Sequence, residues 1–315
     1  MRSLNTFILT FDVEDFISQN SAPALKRILE ILKNREQKAL FFITGHMAEY
    51  LQNFSPIADL LDEHEIGFHS SSHTVHPTIP EFTDLENYND AFDVSLARET
   101  AHINPLTGAV EGRGGINALH ALFPKKQIKA FRAPGHCWSP PHLEALQRLG
   151  LEYDFSTDFS KQRVSFKDMT FYPYPLRAHW KGTAPDYLSL LSASSRETTV
   201  ITIHPSLIVN KNEWDSIFQE SNPRRLSAPQ PRSPAETNAL FRSFDQLLQS
   251  LRRLEKIHLL ETTNSLRHTT KKLPLAAINI ERSYNRSMKW ASKCGYKPKF
   301  LYSHFVKFFK EDSLA

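Results

Sequence analysis

Thr6-Phe7-Ile8-Leu9-Thr10-Phe11-Asp12-Val13-Glu14-Asp15 is a run of six mostly apolar, β-prone residues leading straight into three carboxylates within four positions. An apolar run of that length predicts a strand buried on both faces, the habit of parallel sheets. The next segment has a helical rhythm. Ser21-Ala22-Pro23 supplies a cap and an early proline, and Leu25, Ile28, Leu29 and Leu32 recur at helical spacing. Ala39-Leu40-Phe41-Phe42-Ile43 predicts the next strand. Ser55-Pro56 then opens a helix through Ile57, Leu60 and Leu61, and Glu65-Ile66-Gly67-Phe68 reads as a short strand ending at His69. The order β-α-β-α-β implies parallel strands joined by crossover helices, hence an α/β sheet or barrel.

The same alternation continues outward. Residues 83–103 read as helical, 108–115 as a glycine-bearing loop, and 128–131 as a strand ending at Arg132. Ser139-Pro140-Pro141 begins a helix carrying Leu143, Leu146 and Leu149. Strands are expected near 151–155, 170–174 and 198–203, and a long amphipathic helix from about 234 to 254. The stretch 210–234, rich in proline, arginine and serine, reads as a surface insertion. Beyond Leu266 the alternation fades, which divides the chain into a barrel-like body, 1–265, and a basic, aromatic-rich C-terminal extension, 266–315.

With 315 residues, 40% hydrophobic and 23% charged, the chain can bury a sizeable core, which excludes a disordered or fibrous protein. Two cysteines, Cys137 and Cys294, are too few for a disulfide framework or a cysteine-rich zinc site. No leader pattern opens the sequence and no run of eighteen apolar residues occurs, so a cytoplasmic location is expected. The net charge of +4 is unevenly spread. Residues 266–315 hold eleven Lys and Arg against three acids, or +8, leaving 27 against 31, or −4, for the rest. An acidic body with a basic tail argues against nucleic acid as the partner.

Polar residues stand just after strand after strand: Asp12, His69, Arg132 and His204. Loops at the carboxyl ends of parallel strands are where barrels and open α/β sheets place their chemistry. Carboxylates at such an edge can bind a cation, and a spare one can act as a general base. His69-Ser70-Ser71-Ser72-His73, followed by His76, puts two imidazoles four apart, a spacing that suits one zinc-like ion. By itself that spacing is a weak signal, and two unrelated surface histidines would be the better explanation of it in isolation. Its position opposite a carboxylate cluster points to a two-His, one-carboxylate site. Arg132, in Phe131-Arg132-Ala133-Pro134-Gly135-His136-Cys137-Trp138, makes either a structural ion pair or one that keeps a catalytic carboxylate ionised. Trp138 is either a packing residue or an apolar wall for a sugar ring. His204, in Val200-Ile201-Thr202-Ile203-His204-Pro205, is either a satisfied core histidine or a general acid.

In this order the four segments resemble the polysaccharide deacetylase family, carbohydrate esterase family 4, also called the NodB-homology domain. Thr10-Phe11-Asp12-Val13-Glu14-Asp15 looks like its first motif in the D-V-E-D form. His69-Ser70-Ser71-Ser72-His73 matches its H-[ST]-x-x-H metal motif. Phe131-Arg132-Ala133-Pro134-Gly135 is similar to its F-R-x-P-x-G segment, and Ile201-Thr202-Ile203-His204 to its late L-x-I-H segment. The resemblance spans roughly 5 to 263.

It implies a distorted (β/α) barrel of about seven parallel strands, a divalent metal, usually Zn2+, and hydrolytic removal of an acetyl group from a carbohydrate. Asp12 would be the general base toward a metal-held water, Arg132 its orienting partner and His204 the general acid. His69 and His73 would be metal ligands, and Pro134 and Trp138 would lie toward the substrate. The family's common form has two adjacent aspartates, whereas Val13 follows Asp12 here, so Glu14 or Asp15 must supply the carboxylate ligand. In an extended segment Glu14 shares the face of Asp12, and a turn would favour Asp15. The family's D-x-x-D-W segment is blurred: Asp154 and Asp158 are candidates and no tryptophan follows.

The expected substrate is an N-acetylated sugar or a lipid-linked or nucleotide-linked glycan intermediate. The tail, from Met288-Lys289-Trp290 to Phe308-Phe309-Lys310, interleaves lysines with aromatics. It reads either as a helix docked on the barrel or as a peripheral contact with an anionic membrane. Two other classes compete: a different barrel-type metal hydrolase, and a non-catalytic carbohydrate-binding relative that would have lost the base, a ligand or the acid.

Overall fold

The computed structural model describes residues 6–73, 85–156, 162–173, 175–177, 198–214, 216–217, 226–253, 271–272, 280–293, 297–303 and 305–306. Strand β1, Thr6–Val13, is central. It pairs in parallel with β11, Thr198–Ile203, on one side and with β2, Leu40–Ile43, on the other. Phe7, Ile8, Leu9, Thr10, Phe11 and Asp12 are all buried, as a strand covered on both faces requires.

The sheet continues through β3, Glu65–Phe68, β6, Ala130–Phe131, β7, Tyr153–Asp154, and β9, Met169–Phe171, all parallel, while β10, Leu176–Arg177, flanks β11. Beyond β9, β8, Val164–Phe166, runs antiparallel to it, and β12, Lys271–Lys272, lies parallel to β8. The fold is therefore α/β, a mostly parallel, curled sheet of the distorted-barrel kind. Its parallel run is eight strands rather than about seven, and β10 and β12 end the sheet as edges among the described residues.

The two faces of β1 do different work. Phe7, Leu9, Phe11 and Val13 join the outer core. There they meet helix α1, Ser21–Asn34, through its buried Leu25, Ile28, Leu29 and Leu32. The outer core also takes the long helix that ends the body, Pro234–Arg253, through Phe241, Phe244, Leu247, Leu248 and Leu251. On the other face, Ile8 packs with Leu40, Phe42, Ala130, Tyr153, Phe155, Tyr172 and Val200, an apolar plug inside the curl. Side chains alternate along a strand, so Thr10 and Asp12 stand above Ile8 on this inner face. The interior is apolar at one end and polar at the carboxyl end of the strands.

Two connections depart from the sequence reading. Residues 83–103 do not form one helix, and 108–115 is not simply a loop. The helix spans Tyr88–Glu99, and β4, Ala101–Ile103, pairs antiparallel with β5, Val110–Arg113. Strands of three and four residues are too short to show a period, and Asn104 closes the hairpin by accepting from the backbone N–H groups of Leu106 and Thr107 at 2.9 and 3.0 Å. The stretch 210–234, expected at the surface, sends Asn210 and Trp214 fully inside.

The described residues beyond Leu266 pack against the rest of the protein. Helix Ile280–Lys293 buries Ser283, Ser287 and Ala291. Ser287 Oγ donates to the carbonyl of Trp138 at 2.6 Å, and Phe300 and Phe305 belong to the outer core. Among the described residues no helix is long and apolar enough to cross a membrane.

Candidate active site and metal centre

Four strands deliver the polar residues. Asp12 lies near the end of β1, and His69, Arg132 and His204 each directly follow the last residue of β3, β6 and β11. Register fixes their heights. Thr10 pairs with Thr202, its hydroxyl donates to the carbonyl of Ile201 at 2.8 Å, and the two threonine hydroxyls are 3.0 Å apart.

Arg132 is fully buried, yet its Nη1 donates to Asp12 Oδ1 at 2.6 Å and to Thr10 Oγ1 at 2.9 Å, while the guanidinium covers the Phe42 ring at 4.3 Å. Burial pushes the Asp12 carboxyl toward neutrality. The Arg132 guanidinium, aided by His69 and His204, more than reverses this and holds it well below the usual carboxylate range. His204 Nε2 stands 3.6 Å from the other carboxylate oxygen of Asp12 and 3.9 Å from Glu14 Oε1.

Glu14 directly follows the last residue of β1 and its carboxylate falls on the side of Asp12, where both meet His204. Its Oε2 lies 3.3 Å from His69 Nε2 and 3.2 Å from His73 Nε2. All three residues are buried, and their ligand atoms gather within 4.8 Å. In a tetrahedral site with bonds of about 2.0–2.1 Å the ligand atoms stand about 3.3 Å apart, so this group fits a divalent cation. The histidines are prepared for it. His69 Nδ1 meets the carbonyl of Arg132 at 2.7 Å, which fixes the tautomer leaving Nε2 as a donor of electrons. Burial lowers the pKa of both His69 and His73, keeping them as neutral imidazoles.

Asp15, the other carboxylate considered as a ligand, points elsewhere. Its oxygens accept from Ile17 N, Ser18 N and Ser21 Oγ at 3.1, 2.9 and 2.6 Å, and from Asn210 Nδ2 at 3.3 Å. It ties the start of α1 to the loop after β1.

The loop bearing both histidines is held from behind. Ser70 adopts φ +68°, and Glu99 Oε2 accepts from Ser71 N at 2.8 Å. Glu99 Oε1 accepts from Ser70 Oγ and from His142 Nε2, both at 2.8 Å, with Glu99 and His142 fully buried. Gly115 (φ +57°) lets the backbone of Glu99 approach: a Cβ there would sit 2.1 Å from Ser71 Oγ and 2.2 Å from the Glu99 carbonyl. Asp154 does a related task after β7, accepting from Ser156 N and Oγ at 2.9 Å, while Ser156 Oγ accepts from Ala133 N at 2.6 Å. Asp158 and His76 lie outside the described residues.

These groups open on a cavity of about 250 Å³ lined by Asp12, Glu14, His69, His73 and His204 together with Gly135, His136, Glu213 and Trp290. Trp138 is not on its wall. It is 1% exposed and packs in the core beside Phe305, ring centroids 5.5 Å apart, and Pro134 is likewise buried behind the lining. No local pattern in the sequence points to His136, Glu213, Trp290, Glu99 or His142. His136 does sit within the motif segment, two residues past the Pro134 that follows the arginine.

A parallel α/β sheet whose strand ends hold a buried His-His-carboxylate group beside an Asp–Arg pair defines a candidate metal centre of the hydrolase kind. Residues 3–153, just under half of the chain, match the polysaccharide deacetylase family model. No curated protein matches the chain. Among solved structures, a candidate polysaccharide deacetylase from Mycobacterium smegmatis is 16% identical, with a TM-score of 0.50 over 86% of this chain and 94% of its own. A 4-alpha-glucanotransferase from Thermococcus litoralis is 13% identical, with a TM-score of 0.53 over 98% of this chain and 50% of its own. A CE4 family pseudoenzyme from Bacillus anthracis is 15% identical, with a TM-score of 0.44 over 82% of this chain, which spans 64% of that protein's length. At such identities the likeness concerns the fold alone.

Proposed function

We propose that the protein is a metal-dependent carbohydrate deacetylase, a hydrolase that cleaves the acetyl C–N bond of an N-acetylated sugar. The observation that carries this is the meeting, in one cavity, of the Glu14, His69 and His73 group with the Asp12–Arg132 pair and His204. Two imidazoles and one carboxylate suit zinc. A divalent cation held by these three residues supplies a lowered pKa for water and polarisation of the acetyl carbonyl. Asp12, kept ionised by Arg132, accepts the proton of the attacking water at the oxygen that Arg132 does not bind. His204, on the far side of that carboxylate, gives a proton to the leaving amine. A cavity of about 250 Å³ suits one acetamido sugar at a time better than a long buried chain. Within this class the substrate is a glycan intermediate, nucleotide-linked or lipid-linked.

The test is acetate release by zinc-loaded protein from a panel of N-acetylhexosamines, nucleotide sugars and lipid-linked saccharides, beside the Asp12→Asn variant. Acetate from the wild type and not from the variant is expected. No acetate from any wild-type sample overturns the reading.

A further inference from the structure

The extension contributes a side chain to the cavity. Helix Ile280–Lys293 sets small residues, Ser283, Ser287 and Ala291, against the body, and so comes close to the loop after Arg132. Ser287 Oγ both donates to the Trp138 carbonyl, at 2.6 Å, and accepts from its N–H, at 3.3 Å. This pair of hydrogen bonds fixes the helix's height. About one turn further, Trp290 lies over Gly135, where a Cβ would meet the indole at 3.1 Å. The same ring stands edge to face with His73, centroids 6.3 Å apart at 87°.

Among the described tryptophans, Trp138 and Trp214 are buried at 1% and 0% exposure, whereas Trp290 is half-buried and lines the cavity. The rest of the lining is dominated by carboxylates and imidazoles. An indole there gives a sugar's C–H face or an acetyl methyl an apolar surface next to the candidate metal group, as sites with a few convergent polar groups require. We infer that Trp290 is the specificity-determining wall of the site, holding the acetylated sugar from the C-terminal helix; the identity of that ligand rests on the deacetylase reading.

Trp290→Ala and Trp290→Phe in the full chain, each checked for an unchanged melting curve and zinc content, are compared by two readouts. Steady-state acetate release should show KM raised about tenfold in the alanine variant, the size of one lost aromatic contact, with kcat within a factor of about two and partial recovery in the phenylalanine variant. Tryptophan fluorescence is titrated with N-acetylglucosamine trimer in an Asp12→Asn background, and the signal should disappear in Trp290→Phe. Unchanged KM in both variants overturns the inference, as does absence of wild-type binding to any acetylated sugar. Binding with the Trp290-dependent signal but no acetate sinks the deacetylase reading and leaves the wall standing.

Discussion

Arg132 Nη1 and Asp12 Oδ1 lie 2.6 Å apart with both side chains almost wholly excluded from water. Removing the cation strands a buried carboxylate, so Arg132→Met should cost about 3–5 kcal/mol of stability by urea unfolding. The surviving Asp12 should titrate higher. Its base form exists only above its pKa, so the acid limb of the pH–rate profile should move to higher pH. An unmoved limb in a folded variant would contradict the assigned role.

Glu14 and Asp15 are neighbours with opposite surroundings, and their variants should separate. Glu14→Gln should release zinc at micromolar metal while leaving the melting curve of the apo protein nearly unchanged. Asp15→Ala should keep zinc but lose about 1–3 kcal/mol, because Ile17 N and Ser18 N in the loop before α1, Ser21 Oγ at its start and Asn210 Nδ2 lose their acceptor. Metal content after dialysis, measured with thermal melts, decides it.

Glu99→Gln places an amide among Ser70 Oγ, Ser71 N and His142 Nε2. With one acceptor oxygen gone, the histidine loop should loosen and zinc affinity fall about 10–100-fold, the usual effect of a group that orients ligands. Competition with a chromophoric chelator reads this directly, and unaltered affinity would show that the loop holds itself.

His46 and His64 are buried away from water, and burial lowers both to about 4 from an ordinary 6.5. The unfolded chain therefore binds protons that the folded chain refuses. Stability from this source is complete above about pH 6.5, declines as pH falls, and levels off below about 4, a loss on the order of 3 kcal/mol for His46 alone. His46→Gln keeps a donor for the carbonyl of Ile103 and should flatten the decline in urea midpoints between pH 7 and 4. An equal decline in both proteins would refute the account.

Legibility in the sequence tracks physical range. The run from Thr6 to Asp15 announces a covered strand with acids at its end, and alternation alone leans the second carboxylate role to Glu14, which directly follows the strand's last residue, Val13. His69, Arg132 and His204 are legible because each terminates an apolar strand. Trp290 is not: its approach to Gly135 spans half the chain and depends on a serine–backbone anchor that no local pattern reveals. Trp138, the tryptophan beside the motif, has the local look of a sugar wall and is core instead. The hairpin of β4 and β5 escapes notice because seven strand residues split between two short segments lack a period.

The pairing of β1 with β11 joins Thr10 to Thr202 across 192 positions. Ribosomes deliver residues in order, so Glu14, His69 and His73 exist in the nascent chain long before the strand carrying His204 is made. A contact of that sequence separation is slow to close. Glu14, His69 and His73 can come together on β1, β2 and β3 first, and His204 joins them only when β11 docks, so under the proposed function a stalled or truncated chain would carry the candidate metal group without its acid.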